Sequence, residues 1–180
     1  SVNIKAKVGP NNGEKFSTNE KIYITKPKVK SLVEKKINYS KILDKTIKII
    51  KGTNFNYFSE DAKNKFFKEE YLVTNQSDRM GMRLEGPKLE NIVNTNIKSE
   101  GLVKGVVQVP ADGNPIILFS DHGSIGGYPK IAVVITADHD KTSQLISGSK
   151  IKFKEVNLNE AEELFKIYSN DTKNYLKQIK

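Results

Sequence analysis

Val106-Val107-Gln108-Val109-Pro110-Ala111-Asp112-Gly113-Asn114-Pro115-Ile116-Ile117-Leu118-Phe119 reads as two short apolar runs joined by a turn. Asp112-Gly113-Asn114 supplies the turn chemistry, and Pro115 is tolerated because the first position of a strand need not donate to a ladder. The stretch is a β-hairpin, and the flanking sequence repeats the theme. Thr46-Ile47-Lys48-Ile49-Ile50 ends at Gly52, Tyr71-Leu72-Val73-Thr74 is apolar, and Met80 to Leu84 alternates around Gly81, where a bulge or close approach is expected. Ile131 to Ile135 is a continuous run of the type buried on both faces, and Lys150 to Lys154 alternates again. Helical signals are few. Ser59 before Glu60-Asp61 is a cap with acids in the first turn, and Ala62, Phe66 and Phe67 form the apolar face of a helix over about 59–68. A short helical turn is predicted over Thr142 to Ile146. Asn157 or Asn159 opens a helix over about 158–168, which Ser169-Asn170-Asp171 interrupts and which Tyr175-Leu176 and Ile179 are able to continue. The fold class that follows is mainly β, closed or nearly closed, with two or three short helices.

The outer segments are less patterned. In residues 1–44, Asn11-Asn12-Gly13 marks a turn, Lys21 to Thr25 alternates as a short strand before Pro27, and Lys28 to Lys41 is a lysine-rich linker. Residues 169–180 are read as a polar C-terminal tail. The chain carries 30 Lys plus Arg against 21 Asp plus Glu, a net charge of +9, but only Arg79 and Arg83 are arginines and the lysines are spread throughout. Nucleic-acid readers concentrate Arg for bidentate contacts, so no nucleic-acid partner is expected. The absence of cysteine removes disulfide, thiolate, zinc-finger and iron–sulfur chemistry, and His122 and His139 are too few for a multi-histidine metal site. No apolar run reaches the length of a membrane span and no leader pattern is visible, so the expected setting is the cytoplasm, without a membrane partner.

Two segments carry candidate chemistry. Ser77-Asp78-Arg79-Met80-Gly81-Met82-Arg83-Leu84-Glu85-Gly86 places its two arginines four apart, on one face of an extended strand. They either clamp a carboxylate or phosphate through their forked donors or are neutralised by Asp78 and Glu85. Ser120-Asp121-His122-Gly123-Ser124-Ile125-Gly126-Gly127-Tyr128-Pro129-Lys130 has three glycines in five positions, which permits close ligand approach, an anion nest or merely a tight turn. Asp121, His122 and Ser124 are the residue types of a hydrolytic triad. Neighbours in a strand-to-loop stretch do not reach one another in that geometry, so no serine hydrolase is expected.

Together with Tyr57-Phe58-Ser59-Glu60, Ser99-Glu100-Gly101, Gly105, Gln108-Val109-Pro110, Asp112-Gly113 and Pro115-Ile116, these two segments resemble the biotin-dependent carboxyltransferase family, also called allophanate hydrolase subunit 2. The family includes the C subunit of 5-oxoprolinase, the antagonist of the sporulation-kinase inhibitor and the carboxyltransferase region of urea carboxylase. The resemblance covers about residues 45–168, with weaker agreement from about residue 9. It implies a cyclophilin-like closed β-barrel and a role, shared with a partner subunit, in ATP-linked opening or carboxylation of an amide-bearing small molecule. It also implies a substrate-binding set: Asp78, Arg79 and Arg83, then Gln108, then Asp121, Gly126, Gly127, Tyr128 and Lys130, with no catalytic residue assigned.

The departures shape the expectation further. Family members look about twice as long and carry a Gln-Asp-x-Gly-Arg type motif that is absent here, so the chain resembles a C-terminal portion that lacks an N-terminal half. The family's Asp-x-Gln-Thr-Thr loop is here Asp121-His122-Gly123-Ser124-Ile125, which loses a Gln amide and a hydroxyl. The leading function is a subunit acting in ATP-dependent ring opening of 5-oxoproline to glutamate. The alternatives are the carboxyltransferase component of a biotin-dependent urea carboxylase, a regulatory module that binds a kinase-inhibitor-like partner, and an inactive fragment. No P-loop is present, so ATP is expected on the partner subunit, with no cofactor bound directly and biotin as carrier only for carboxyl transfer.

Overall fold

The computed structural model describes residues 7, 10–14, 16–23, 44–93 and 96–179. The chain divides into two compact units, residues 1–36 and 37–180. In the first, Pro10–Gly13 forms a 3-10 turn in which Asn11, Asn12 and Gly13 are left-handed, the conformation that the Asn-Asn-Gly sequence favours. Lys21 to Tyr23 is irregular rather than a strand, and Ile24 and Thr25, like the Lys28–Lys41 linker, lie outside the described residues.

The second unit contains, in order, β1 (Thr46–Lys51), α1 (Glu60–Lys68), β2 (Tyr71–Val73), β3 (Gly81–Glu85), β4 (Glu100–Gly101), β5 (Val106–Gln108), β6 (Ile116–Leu118), β7 (Ile125–Gly126), β8 (Lys130–Val134), α2 (His139–Ser143), β9 (Lys150–Glu155) and α3 (Leu158–Ile179). Seven strands close into a barrel in the order β1-β8-β5-β6-β3-β2-β9, the closed β-barrel that the resemblance implies. Closure removes sheet edges, which suits strands this short. Its pairs are antiparallel except β1 with β9, where Ile47 lies opposite Phe153. β4 and β7 form a separate two-stranded ribbon, which the sequence reading did not anticipate.

The alternation seen in the sequence becomes the barrel interior. Ile47 and Ile49, Tyr71 and Val73, Met82 and Leu84, and Ile151 and Phe153 are buried, while Lys150, Lys152 and Lys154 face solvent. α1 follows its predicted cap, Ser59 Oγ accepting from Ala62 N at 3.1 Å. It packs Phe66 onto Phe153, with rings stacked 4.3 Å apart. Truncating so enclosed a ring costs about 3–5 kcal/mol. At the start of β1, the buried Asp138 carboxylate accepts from Lys48 N at 2.8 Å and pairs with Lys141 Nζ at 2.9 Å.

Two helical expectations need correction. α2 begins at His139, after a 3-10 turn over Thr136–Asp138, instead of spanning Thr142 to Ile146. α3 is not short: it runs 22 residues through Ser169-Asn170-Asp171, so the expected tail is the second half of a helix. Asn157 caps it, its Oδ1 accepting from Glu160 N at 2.9 Å, and Thr172 Oγ1 donates to Tyr168 O at 2.9 Å beside the expected break. No helix among the described residues is long and apolar enough to cross a membrane.

Candidate functional site

A turn, a bulge and a ribbon build the site. Before β3, Asp78 Oδ1 accepts from Met80 N at 2.8 Å and Gly81 N at 3.1 Å, an Asx turn that leaves Met80 57% exposed while Met82 is buried. Arg79 therefore lies outside the strand, and the two arginines do not share a strand face. Its guanidinium makes a bidentate pair with Asp121, Nε to Oδ2 at 2.7 Å and Nη2 to Oδ1 at 3.1 Å. Asp121 N also donates to Arg79 O at 3.1 Å. The guanidinium holds the Asp121 carboxyl below its ordinary range, and the carboxylate raises Arg79 in return. Arg79 is thus ion-paired, but to Asp121 and not to Asp78.

Arg83 is different. It stands on β3 between the buried Met82 and Leu84, points outward, and among the described residues makes no ion pair. Its side chain lines a cavity of about 330 Å³, together with Asp78, Gln108, Gly126, Gly127 and Tyr128. The apolar part of the wall comes from Met80, Leu102, Ile116, Leu118 and Ile125. Arg79 lines a separate depression with Lys104 and Ser120. A two-arginine clamp is therefore not formed, and Arg83 is the arginine without an ion pair among the described residues.

Gln108 reaches this cavity because β5 and β8 slip in register: Val107 lies opposite Ala132, and Gln108 opposite Lys130. Such bulges re-aim side chains beside functional sites. Gln108 is buried, and its Nε2 donates to Tyr128 O at 3.2 Å. That bond holds the amide in place, leaving Oε1 as its acceptor. Gly126 lets the loop come this close, since a Cβ there would sit 2.8 Å from Leu102 Cδ1 and 2.9 Å from Gln108 Nε2.

The glycine loop is part of a ribbon and not an isolated turn. Its β7 pairs with β4, Leu102 N donates to Ser124 O at 3.0 Å, and Ile97 N donates to Gly127 O at 2.9 Å. Lys130 secures the ribbon. Its side chain is only 6% exposed and its Nζ donates to the Glu100 carboxylate, while its backbone N donates to Asn54 Oδ1 at 3.0 Å. Lys130 and Asp121 are thus structural partners and do not line the cavity. The triad residues do not assemble: His122 Nδ1 lies 2.6 Å from Gly123 O, and Asp121 is committed to Arg79. His122 does line the cavity. Sequence reasoning missed Leu102 and the Glu100–Lys130 pair, because a two-residue strand is too short to show periodicity.

The sequence matches the family described as carboxyltransferase domain, subdomain A and B, over residues 1–155. It is 32% identical over 161 residues to the C subunit of 5-oxoprolinase from Escherichia coli (strain K12), covering 89% of this chain and 52% of that protein. It is 39% identical over 118 residues to the C subunit of 5-oxoprolinase from Haemophilus influenzae, covering 66% and 38%. Among solved structures, the K. lactis urea amidolyase superposes with a TM-score of 0.70 at 26% identity, covering 77% of this chain and 9% of that one. The chain spans about half or less of the length of these curated relatives. The barrel, the order of the motifs and these matches agree, and the chain belongs to this carboxyltransferase-domain family.

Proposed function

We propose that this chain supplies the substrate-holding wall of a multi-subunit enzyme that opens 5-oxoproline to glutamate, with ATP handled on a partner subunit. The observation that carries the reading is the Arg83 guanidinium, unpaired among the described residues, in a cavity whose wall also holds the Gln108 amide, glycine backbone, apolar surface, Asp78 and His122. A five-membered lactam acid has matching parts. Its carboxylate suits the fork of Arg83, its lactam N–H suits Gln108 Oε1, and its methylenes suit Met80, Leu102, Ile116 and Leu118. The similarity to the 5-oxoprolinase C subunits supports that substrate over other small acids. Asp78, Gly126, Gly127 and Tyr128 shape the cavity, while Arg79, Asp121 and Lys130 support its rim and ribbon.

These groups bind and orient. None is placed as a nucleophile, so in this reading the attack and its coupling to ATP fall to groups of the partner subunit and of the length of the relatives that this chain does not span. Positioning contributes about 7–11 kcal/mol to catalysis when complete, and an incomplete site forfeits most of it. The 180-residue chain alone should show no 5-oxoproline-dependent ATP hydrolysis, no urea carboxylation and no transfer from carboxybiotin. Joined to the remaining length of its curated relatives and to partner subunits, it should restore 5-oxoproline-dependent ATP hydrolysis, and Arg83→Lys should abolish most of it. Turnover by the chain alone, or full activity of the Arg83→Lys complex, would refute the reading.

A second reading, biotin-dependent carboxyl transfer to an amide acceptor, draws on the likeness to the urea amidolyase structure. It uses the same cavity and is separated by the assay. Incorporation of labelled bicarbonate into urea by the complex, without 5-oxoproline-dependent ATP hydrolysis, selects it.

A further inference from the structure

β3 carries a second charge beside Arg83. Glu85 lies two residues on, hence on the same strand face about 7 Å away. Neither side chain is paired with the other or with any other described residue. Both line a second cavity, of about 520 Å³, which shares Arg83, Ile116 and Tyr128 with the first. Its wall adds Asp112 and Asn114 from the β5–β6 hairpin. Asn114 Nδ2 donates to Asp112 Oδ2 at 2.9 Å, whereas Asn114 Oδ1 is buried and accepts no hydrogen bond. A buried acceptor without a donor is costly, and a ligand that brings the donor relieves the cost.

The two cavities share one guanidinium and differ in their polar walls. The first offers the Gln108 amide beside His122 and Asp78, whose Oδ1 is taken up by the Met80 and Gly81 N–H groups. The second offers the Glu85 and Asp112 carboxylates and the orphaned Asn114 carbonyl oxygen as acceptors, alongside the Asn75 and Gln76 amides. Resting on the function proposed above, we infer that the second cavity is a product-side compartment, which receives the α-ammonium group of an amino acid whose carboxylate stays on Arg83. Ring opening creates that group. Hydrolysis breaks the lactam C–N bond, the water oxygen bonds to the carbonyl carbon as a new carboxylate, and both water protons end on nitrogen. A neutral nitrogen with one N–H becomes a cation with three, driven by ATP on the partner. The lactam nitrogen matches Gln108, and the ammonium matches Glu85, Asp112 and Asn114.

Calorimetric titration of the full 180-residue chain with L-glutamate, glutarate and 5-oxo-L-proline tests this. Glutarate keeps both carboxylates and lacks the amine, so glutamate should bind at least tenfold tighter, a difference of about 1.4 kcal/mol. Glu85→Gln and Asn114→Leu should each weaken glutamate at least tenfold and leave 5-oxoproline affinity unchanged, and Gln108→Leu should do the reverse. Glu85 is exposed and without a partner, so the thermal midpoint of Glu85→Gln should match the wild type and separate lost binding from lost folding. Equal binding of glutarate and glutamate, no binding of glutamate, or an undiminished Glu85→Gln response would overturn the inference. If glutamate behaves as expected and 5-oxoproline does not bind, the ring-opening reading falls while the amino-acid compartment stands. If 5-oxoproline binds through Arg83 and glutamate ignores Glu85 and Asn114, the reverse holds.

Discussion

Replacing Glu100 should harm the fold more than replacing the lysine it holds. The Lys130 side chain is 6% exposed and Glu100 44% exposed, so the pair is buried at one end only. Removing one partner of a fully buried pair costs about 3–5 kcal/mol, because a charge is left stranded. Water entering where Glu100 stood would rescue part of that, so Glu100→Ala should cost about 2 kcal/mol. Lys130→Met keeps the length of the stem and removes the charge with its desolvation penalty, so it should cost about 1 kcal/mol or less. For a chain of this size the thermal midpoint should fall by about 4–8 °C for Glu100→Ala and by less than about 4 °C for Lys130→Met. The double variant should resemble Lys130→Met, a coupling of about 2 kcal/mol. Differential scanning calorimetry measures all three. Amide exchange should quicken at Ile97 and Leu102, whose N–H groups tie β4 and its flank to the β7 loop. A Lys130→Met variant less stable than Glu100→Ala would refute the reasoning, since the lysine would then contribute more than its charge pairing.

Two further outcomes are expected. Gly126→Ala should lower 5-oxoproline affinity while leaving the barrel folded, because the new Cβ must displace Leu102 and the Gln108 amide; equal affinity by calorimetry would mean that Gln108 does not read the ligand. Burial pushes His139 below its ordinary value of about 6.5, against the opposing pull of its bond to Val134 O and of nearby Asp138 and Asp140, with Lys104 adding to the depression. The unfolded chain therefore takes up that proton first as pH falls below about 6.5, and stability should decline from there downward. His139→Gln should flatten that part of the pH profile of the urea midpoint, and an unchanged profile would contradict the assignment.

The barrel was legible because its strands advertise it. Ile47 and Ile49, Met82 and Leu84, and Ile151 and Phe153 alternate with polar residues, so period two alone marked the strands whose apolar faces line the barrel. What the sequence hid depends on partners far along the chain. Ser169-Asn170-Asp171 looked like a break because such side chains compete for backbone hydrogen bonds, yet the helix continues and Thr172 returns its hydroxyl to Tyr168 O. Arg79 and Arg83 looked equivalent because spacing cannot show that Asp121, 42 residues away, claims only the first. Lys130 looked like a loop cation open to substrate, and Glu100 became its visible partner only once β4 folded beside β7. Gln108 was carried over by resemblance alone, since the register slip that turns it into the cavity leaves no mark in composition.

The central claim is that Arg83, and not Arg79, receives the carboxylate of 5-oxoproline. Having only two arginines, the chain gives two side-chain Nε–Hε signals in a nitrogen–proton correlation spectrum. Titration with 5-oxo-L-proline should move the Arg83 signal and leave that of Arg79, held by Asp121, in place. 2-Pyrrolidinone, the same ring without the carboxylate, should move neither. Movement of Arg79 instead of Arg83, or an equal response to both ligands, would contradict the account.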